Sequence, residues 1–158
     1  MSLQPASRSH PNTSAHRQQR EEQPAIDVSD IRFGASVDAD LYAGIAEQKA
    51  QFIAKKSSGE VNKSAQLRRF YDELILWNGK VNGSGNKEER ARKYAELAPL
   101  VKMLIAKVAY AKGRRHVDEQ FERLFRRVIE EVKDATTLEQ AKLFMEAFMG
   151  FYKATNKG

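Results

Sequence analysis

The chain has 158 residues, no cysteine, 41 % hydrophobic and 30 % charged residues and a formal charge of +6, which describes one soluble domain with a solvated fraction. Disulfide scaffolds, cysteine-ligated zinc and cysteine nucleophiles are excluded at once. The longest apolar stretch, Leu100 to Ala111, is interrupted by Lys102 and Lys107 and is far short of the roughly 20 apolar residues of a membrane span. No apolar run follows the first arginines as a secretory signal would require, so a cytoplasmic protein without a membrane partner is expected.

Charge is divided unevenly. Residues 1–40 carry four Arg against six Asp and Glu, whereas residues 41–158 carry 23 Lys and Arg against 15 Asp and Glu. The basic surplus therefore belongs to the part expected to fold. Such a surplus permits attraction to polyanions without demanding it.

Residues 1–25 are rich in Ser, Pro, Gln, Arg and Glu, with Met1 and Leu3 as their only large aliphatics. They cannot bury enough apolar surface to offset ordering entropy and read as a disordered tail. Ile26, Val28, Ile31 and Phe33 make a short segment apolar enough to dock, closed by Gly34 and Ser36. The boundary is expected near Val37, giving a tail over 1–36 and a helical domain over 37–158.

Asp38 or Asp40 can cap a first helix reaching about Lys56, with Leu41, Ile45, Phe52 and Ile53 on its apolar face and Ser57-Ser58-Gly59 as its stop. From Ser64, residues Leu67, Phe70, Tyr71, Leu74 and Ile75 follow the i, i+3, i+4, i+7, i+8 template of a second helix, expected to end before Gly79–Gly85. Asn86 and Glu89 form a capping-box-like pair opening a long third helix. Pro99 lacks an amide hydrogen and disfavours helix at Ala98, so a kink or break is expected there, with Gly113 as a stop. Val117, Phe121, Leu124, Phe125, Val128 and Val132 form the next stripe, ending near Asp134. Thr136 with Glu139 repeats the capping signature before a last helix to about Ala154, carrying Leu138, Phe144, Met145, Phe148, Met149 and Tyr152. No segment sustains strand alternation, and no repeat is visible. The expected fold is an all-α bundle of five to six helices.

The catalytic inventory is poor. His10 and His16 fall in the tail, leaving His116 in the fold, so a di-iron bundle cannot be built. Gly79, Gly83 and Gly85 precede no Lys-Ser/Thr and follow no strand, so they make no phosphate loop. An acidic metal-dependent nuclease would have to draw on Asp72, Glu73, Glu88, Glu89 and Glu146, each of which has a salt-bridge or capping explanation. No enzyme and no cofactor are expected.

A more specific constellation lies on the helix containing Val101, Leu104, Ile105 and Val108. At 100° per residue, Met103, Ala106, Lys107, Tyr110 and Arg114 fall opposite that stripe. Two accounts fit. Lys107 and Arg114 could meet phosphates while Tyr110 stacks on a base or packs on a sugar; or a second helix could cover this face with Lys107 snorkelling to water. Spacing alone favours the covered helix.

Lys112, Arg114 and Arg115 crowd the same helix end, where a solvated terminus favoured by the dipole and an anion site are equally good readings. Arg68 and Arg69 can pair with Asp72 and Glu73 four residues on, in the poorer orientation. Arg123, Arg126 and Arg127 have Glu119, Glu122, Glu130 and Glu131 at neighbouring helical positions and read as a solvated face. Core packing accounts for most of the last-helix aromatics, with Phe151 a candidate for a partner-subunit contact.

Three blocks, SAQLRRFYDEL at 64–74, LIAKVAYAKGR at 104–114 and FMEAFMGFYK at 144–153, resemble in order and spacing the small subunit of type III-A CRISPR interference complexes. The likeness covers most of Ser64 to Lys153, and none is identified in the tail or the first helix. It implies a small helical, non-catalytic subunit that stacks in several copies beside the repeating backbone subunit and other subunits of the effector complex. Such subunits touch guide RNA and target RNA through sugar and phosphate, with base pairing supplying specificity. Cleavage and cyclic oligoadenylate synthesis belong in that family to other subunits. The matching positions are Arg68, Arg69, Lys107, Tyr110, Gly113 and Arg114, with Lys112 and Arg115 added from the charge cluster. Gly113 would allow the tight helix end that presents Arg114. Phe70, Tyr71, Glu146 and Tyr152 also match; of these, periodicity makes Phe70 and Tyr71 core. The alternatives are a helical protein-interaction module docking through the Met103/Tyr110 face and a metal-dependent nuclease.

Overall fold

The apolar stripes from Leu41 onward fold as six α-helices in the computed structural model, which describes residues 24–155 and contains no strand among them. A single π-helical turn, Leu41–Ile45, leads into α1 (Ala46–Lys56); α2 is Ser64–Asn82, α3 Lys87–Lys102, α4 Leu104–Gly113, α5 Glu119–Glu130 and α6 Ala135–Thr155. The disordered-tail reading of residues 1–23 concerns positions outside the described residues.

Several boundaries differ from expectation for local reasons. Helix α2 runs through Gly79 to Asn82, because an exposed glycine in a helix costs only about 1 kcal/mol and Val81 is buried beyond it. Asn86 caps α3 by accepting the Glu89 amide at 2.9 Å. The cap of α5 is Asp118, which accepts the Phe121 amide at 2.9 Å. The cap of α6 is Asp134 rather than Thr136: its carboxylate accepts the Thr137 amide at 2.8 Å, and the Thr137 hydroxyl accepts the Asp134 amide at 3.0 Å. This is a capping box with threonine in the reciprocating position.

The core gathers on α6, which packs along both α1 and α2. Phe70 of α2, Phe121 and Phe125 of α5, and Phe148 and Tyr152 of α6 form a continuous run of ring contacts with centroids 5.1–6.2 Å apart. Aromatic pairs at such separations contribute beyond simple burial. Ile75, expected on the apolar face, is 40 % exposed, since the buried arc of α2 is the narrower one of Leu67, Phe70, Leu74 and Val81.

The segment before the helices is not a tail up to residue 36. Ile26 and Ile31 are fully buried, and Phe33 packs on Phe144 at 6.3 Å. Side chains of α5 and α6 hold its backbone: Gln120 accepts the Ile26 amide, Gln140 both accepts from and donates to Gly34, and Arg123 and Arg127 donate to the carbonyls of Ile26 and Ile31. Arg123 and Arg127 are therefore part of the fold rather than of a solvated face. Four apolar side chains suffice to dock a segment once polar partners satisfy its main chain.

Asp30 of this segment also meets Lys49 of α1 at 2.8 Å. The lysine side chain is 7 % exposed and the aspartate 39 % exposed, so removing either partner has unequal consequences. Asp30→Ala leaves a buried ammonium unpaired and should destabilise the fold by about 1–3 kcal/mol, whereas Lys49→Met leaves a carboxylate with one buried oxygen but the rest open to water, and should cost less, about 1 kcal/mol. Urea midpoints of the two variants check this, and equal losses would refute it.

Candidate nucleic-acid interface

Helix α4 follows α3 after the single residue Met103. Pro99 cannot donate to the preceding turn, yet α3 continues past it and stops at Met103, four residues later than expected. The Met103 amide donates to the Pro99 carbonyl at 3.1 Å, an ordinary i→i−4 bond that carries the chain past the proline. Lys102 holds the junction from the other side, donating to the carbonyls of Ile129, in the last turn of α5, and Val132, just after it, at 2.7 and 2.6 Å. Burial lowers the Lys102 pKa from the ordinary lysine value, opposed by Glu130 and Glu131.

Released at Met103, α4 packs on α5. Leu104, Val108 and Ala111 turn inward with Val101, and Ile105 lies partly buried beside them. The opposite face is open. Tyr110 is 67 % and Met103 47 % exposed, so no helix among the described residues covers this side, contrary to the account favoured by spacing.

Lys107, one turn before Tyr110, reaches across to Glu73 of α2 at 3.1 Å. Glu73 thus pairs with Lys107 and not with Arg69, its expected helical partner, and Arg69 makes no ion pair among the described residues. Arg69 and Glu73 line the same shallow depression with Asp72 and Leu76. Asn62, just before α2, bonds to His116, just after α4, so the two helices run antiparallel. Arg69 and Lys107 both lie beside Glu73, and helical spacing puts Tyr110 on the same face of α4 as Lys107.

The remaining sequence candidates divide. Arg68 turns to the other flank of α2, beside Tyr71, Glu146 and Lys153. It meets Asp72 only at 3.7 Å with both side chains largely exposed, an interaction of little energy. Lys112 pairs with Glu122 of α5 at 3.1 Å and faces a groove with Arg123 and Arg126. Arg114 and Arg115 are exposed and make no ion pair among the described residues. Of the acidic residues, Asp72, Glu73 and Glu146 engage Arg68, Lys107 and Lys142 respectively. Among the described residues no three His, Asp or Glu side chains gather to hold a metal ion.

The end of α4 is built differently from expectation. Gly113 is its last residue, and the left-handed conformation falls on Arg115, with φ +59°. The His116 amide donates to Ala111 and the Arg115 amide to Lys112, both at 2.9 Å, which closes the helix as a Schellman motif. Val117 then drops into the core.

Asn62 lies against this turn, fully buried and itself at φ +60°. Its amide donates to the His116 carbonyl at 3.0 Å, and its side-chain oxygen accepts the Asp118 amide at 2.9 Å. Its side-chain nitrogen donates to the Ser57 hydroxyl at 3.0 Å, and its carbonyl accepts the Tyr152 hydroxyl at 2.5 Å. The sequence reading missed Asn62, as it missed the Lys107 partner Glu73 and the role of Lys102. The available signal was weak: an asparagine two residues before a helix start tolerates a left-handed turn.

A family model described as Csm2 Type III-A matches residues 40–158. No curated protein and no solved structure matches the chain.

The two faces of α4 differ in what they support. Tyr110→Ala removes an exposed ring and should change stability by less than about 0.5 kcal/mol, while Leu104→Ala opens a buried cavity and should cost about 2–5 kcal/mol. Chemical denaturation distinguishes them; a large loss at Tyr110 would mean that its face is packed.

Proposed function

The chain belongs to the Csm2 Type III-A family, small subunits of type III-A CRISPR complexes, and from that membership we propose that it is a non-catalytic subunit binding RNA through the outer face of α4. One observation carries the reading: Tyr110 stands 67 % exposed on a face that also bears Lys107 and Arg114. A stacking platform between two cations suits a polynucleotide backbone, and neither the phosphates nor the π-faces of bases encode sequence. Arg69 extends the strip onto α2, and Arg115 with Lys112 extends it around the helix end. Guide and target RNA are the expected ligands. The repeating backbone subunit, other subunits of the complex and further copies of this chain are the expected neighbours, their multivalency compensating for the few contacts one copy offers.

The ion pair to Glu73 sets a limit on Lys107. A carboxylate at 3.1 Å competes with a phosphate for the same ammonium, so Lys107 contributes less than the ion-pair-free Arg114 while the pair persists. The pair also keeps the lysine extended across α2 and α4.

A second reading has its own observation. Leu76, Leu100 and Met103 are each more than two-fifths exposed, which suits docking of a partner helix. Salt separates the two readings, since apolar docking tolerates it and phosphate binding does not.

The test is a salt titration of binding to single-stranded and duplex RNAs of unrelated sequence. With about five phosphates neutralised, affinity should fall by roughly 10²–10³ between 50 and 200 mM salt, independent of sequence. Lys107→Ala/Arg114→Ala should weaken binding and flatten the slope with helicity unchanged, and Glu73→Gln should strengthen it by releasing Lys107. Salt-independent binding would favour the helix-docking reading, and chelator-sensitive RNA cleavage by the pure protein would favour a nuclease.

A further inference from the structure

Asn62 and Arg115 are the two non-glycine residues with positive φ among the described residues, at +60° and +59°. They lie in one hydrogen-bonded knot. Asparagine adopts this conformation readily because its short polar side chain bonds locally, whereas arginine gains nothing from it and a glycine would sit there without a Cβ penalty. A residue held in an unfavourable backbone region persists because its surroundings over-determine it.

The surroundings here are Asn62. Its amide fixes the carbonyl of His116 and its side-chain oxygen fixes the amide of Asp118, so the chain is clamped on both sides of the buried Val117. The other two groups of Asn62 are anchored to Ser57 and Tyr152, which ties the clamp to the end of α1 and to α6. The turn carrying Arg114 and Arg115 is thereby referenced to three other parts of the bundle rather than to its own helix alone. Yet nothing in the fold uses the Arg115 side chain: it is exposed and makes no ion pair among the described residues.

We infer that Asn62 is a positioning residue of the RNA-binding surface, clamping the turn after α4 so that Arg115, in a conformation that glycine would adopt more cheaply, presents its guanidinium to a phosphate. The inference rests on the RNA-binding reading and adds to it a residue outside the basic strip.

The experiment compares the full chain with Arg115→Gly, Asn62→Gly and the double variant, reading thermal midpoint and the salt dependence of single-stranded RNA affinity. Arg115→Gly should raise the midpoint, because glycine relieves the left-handed penalty. It should also weaken RNA binding about four- to sixfold at 0.15 M salt, the effect of losing one phosphate contact. Opposite signs of this kind are not produced by a residue whose role is structural only. Asn62→Gly keeps the backbone conformation but removes the bonds to Asp118 and Ser57. It should lower the midpoint and weaken binding by a similar factor, and the double variant should bind no more weakly than Asn62→Gly alone.

Losses that multiply in the double variant would overturn the positioning role. Unchanged RNA affinity in Arg115→Gly would overturn the inference even if Asn62→Gly failed to fold. Asn62→Asp loses the donor to Ser57 but retains the acceptor for the Asp118 amide, and near-parental affinity in that variant is the expected rescue. A wild-type chain that shows no salt-dependent RNA binding would instead refute the RNA-binding reading itself.

Discussion

The hydroxyl of Tyr152 donates to the carbonyl of Asn62 at 2.5 Å, and this contact joins the two systems that organise the molecule. On one side stands the aromatic run from Phe70 through Phe125, Phe121 and Phe148 to the Tyr152 ring. On the other stands the polar knot that closes α1, begins α2 and bridges α4 to α5. An apolar core positions helices only to within the slack of side-chain packing, whereas a buried asparagine with all its hydrogen-bonding groups engaged fixes relative position by direction as well as distance. The turn after α4 inherits that definition.

The surface of α4 shows how a short helix can be half core and half interface. Its inward residues are buried against α5, so its outward residues need contribute nothing to stability. They include a tyrosine two-thirds exposed, where a solvated helix would carry another charged or small residue at no cost. Electrostatics grades the cations around it. Lys107 and Lys112 are tied to Glu73 and Glu122, while Arg69, Arg114 and Arg115 make no ion pair among the described residues. Charge count on a helix is thus a poor guide to charge available to a ligand, because carboxylates on other helices can engage it.

Much of the fold was legible in local pattern. The stripes of α2, α5 and α6 and the Asn86 cap read directly, because periodicity and capping are properties of residues three and four apart. The placement of Lys107 and Tyr110 opposite the core stripe also followed from the 100° step between residues, though not that this face is open. The failures have one cause. Residues 24–36 carry no periodic signal, and their docking depends on Gln120, Gln140, Arg123, Arg127 and Lys49, which lie from 19 to 106 positions along the chain from their partners. Lys102 bonds to the carbonyls of Ile129 and Val132 at the end of α5, a contact that no local rule anticipates.

Sequence alone determined the all-α class, the principal apolar faces and the identity of the cations and aromatic on the outer side of α4, since each depends on short-range spacing within one helix. The resemblance of its three blocks, borne out by the family match over residues 40–158, determined the type of complex. Tertiary structure decided that this outer side is uncovered, which cations are engaged by carboxylates of other helices, and that the end of α4 is set by Asn62 through a left-handed Arg115 rather than by Gly113. Those outcomes depend on distances between segments remote in sequence, and directional contacts between such segments exist only once the chain has closed around its core.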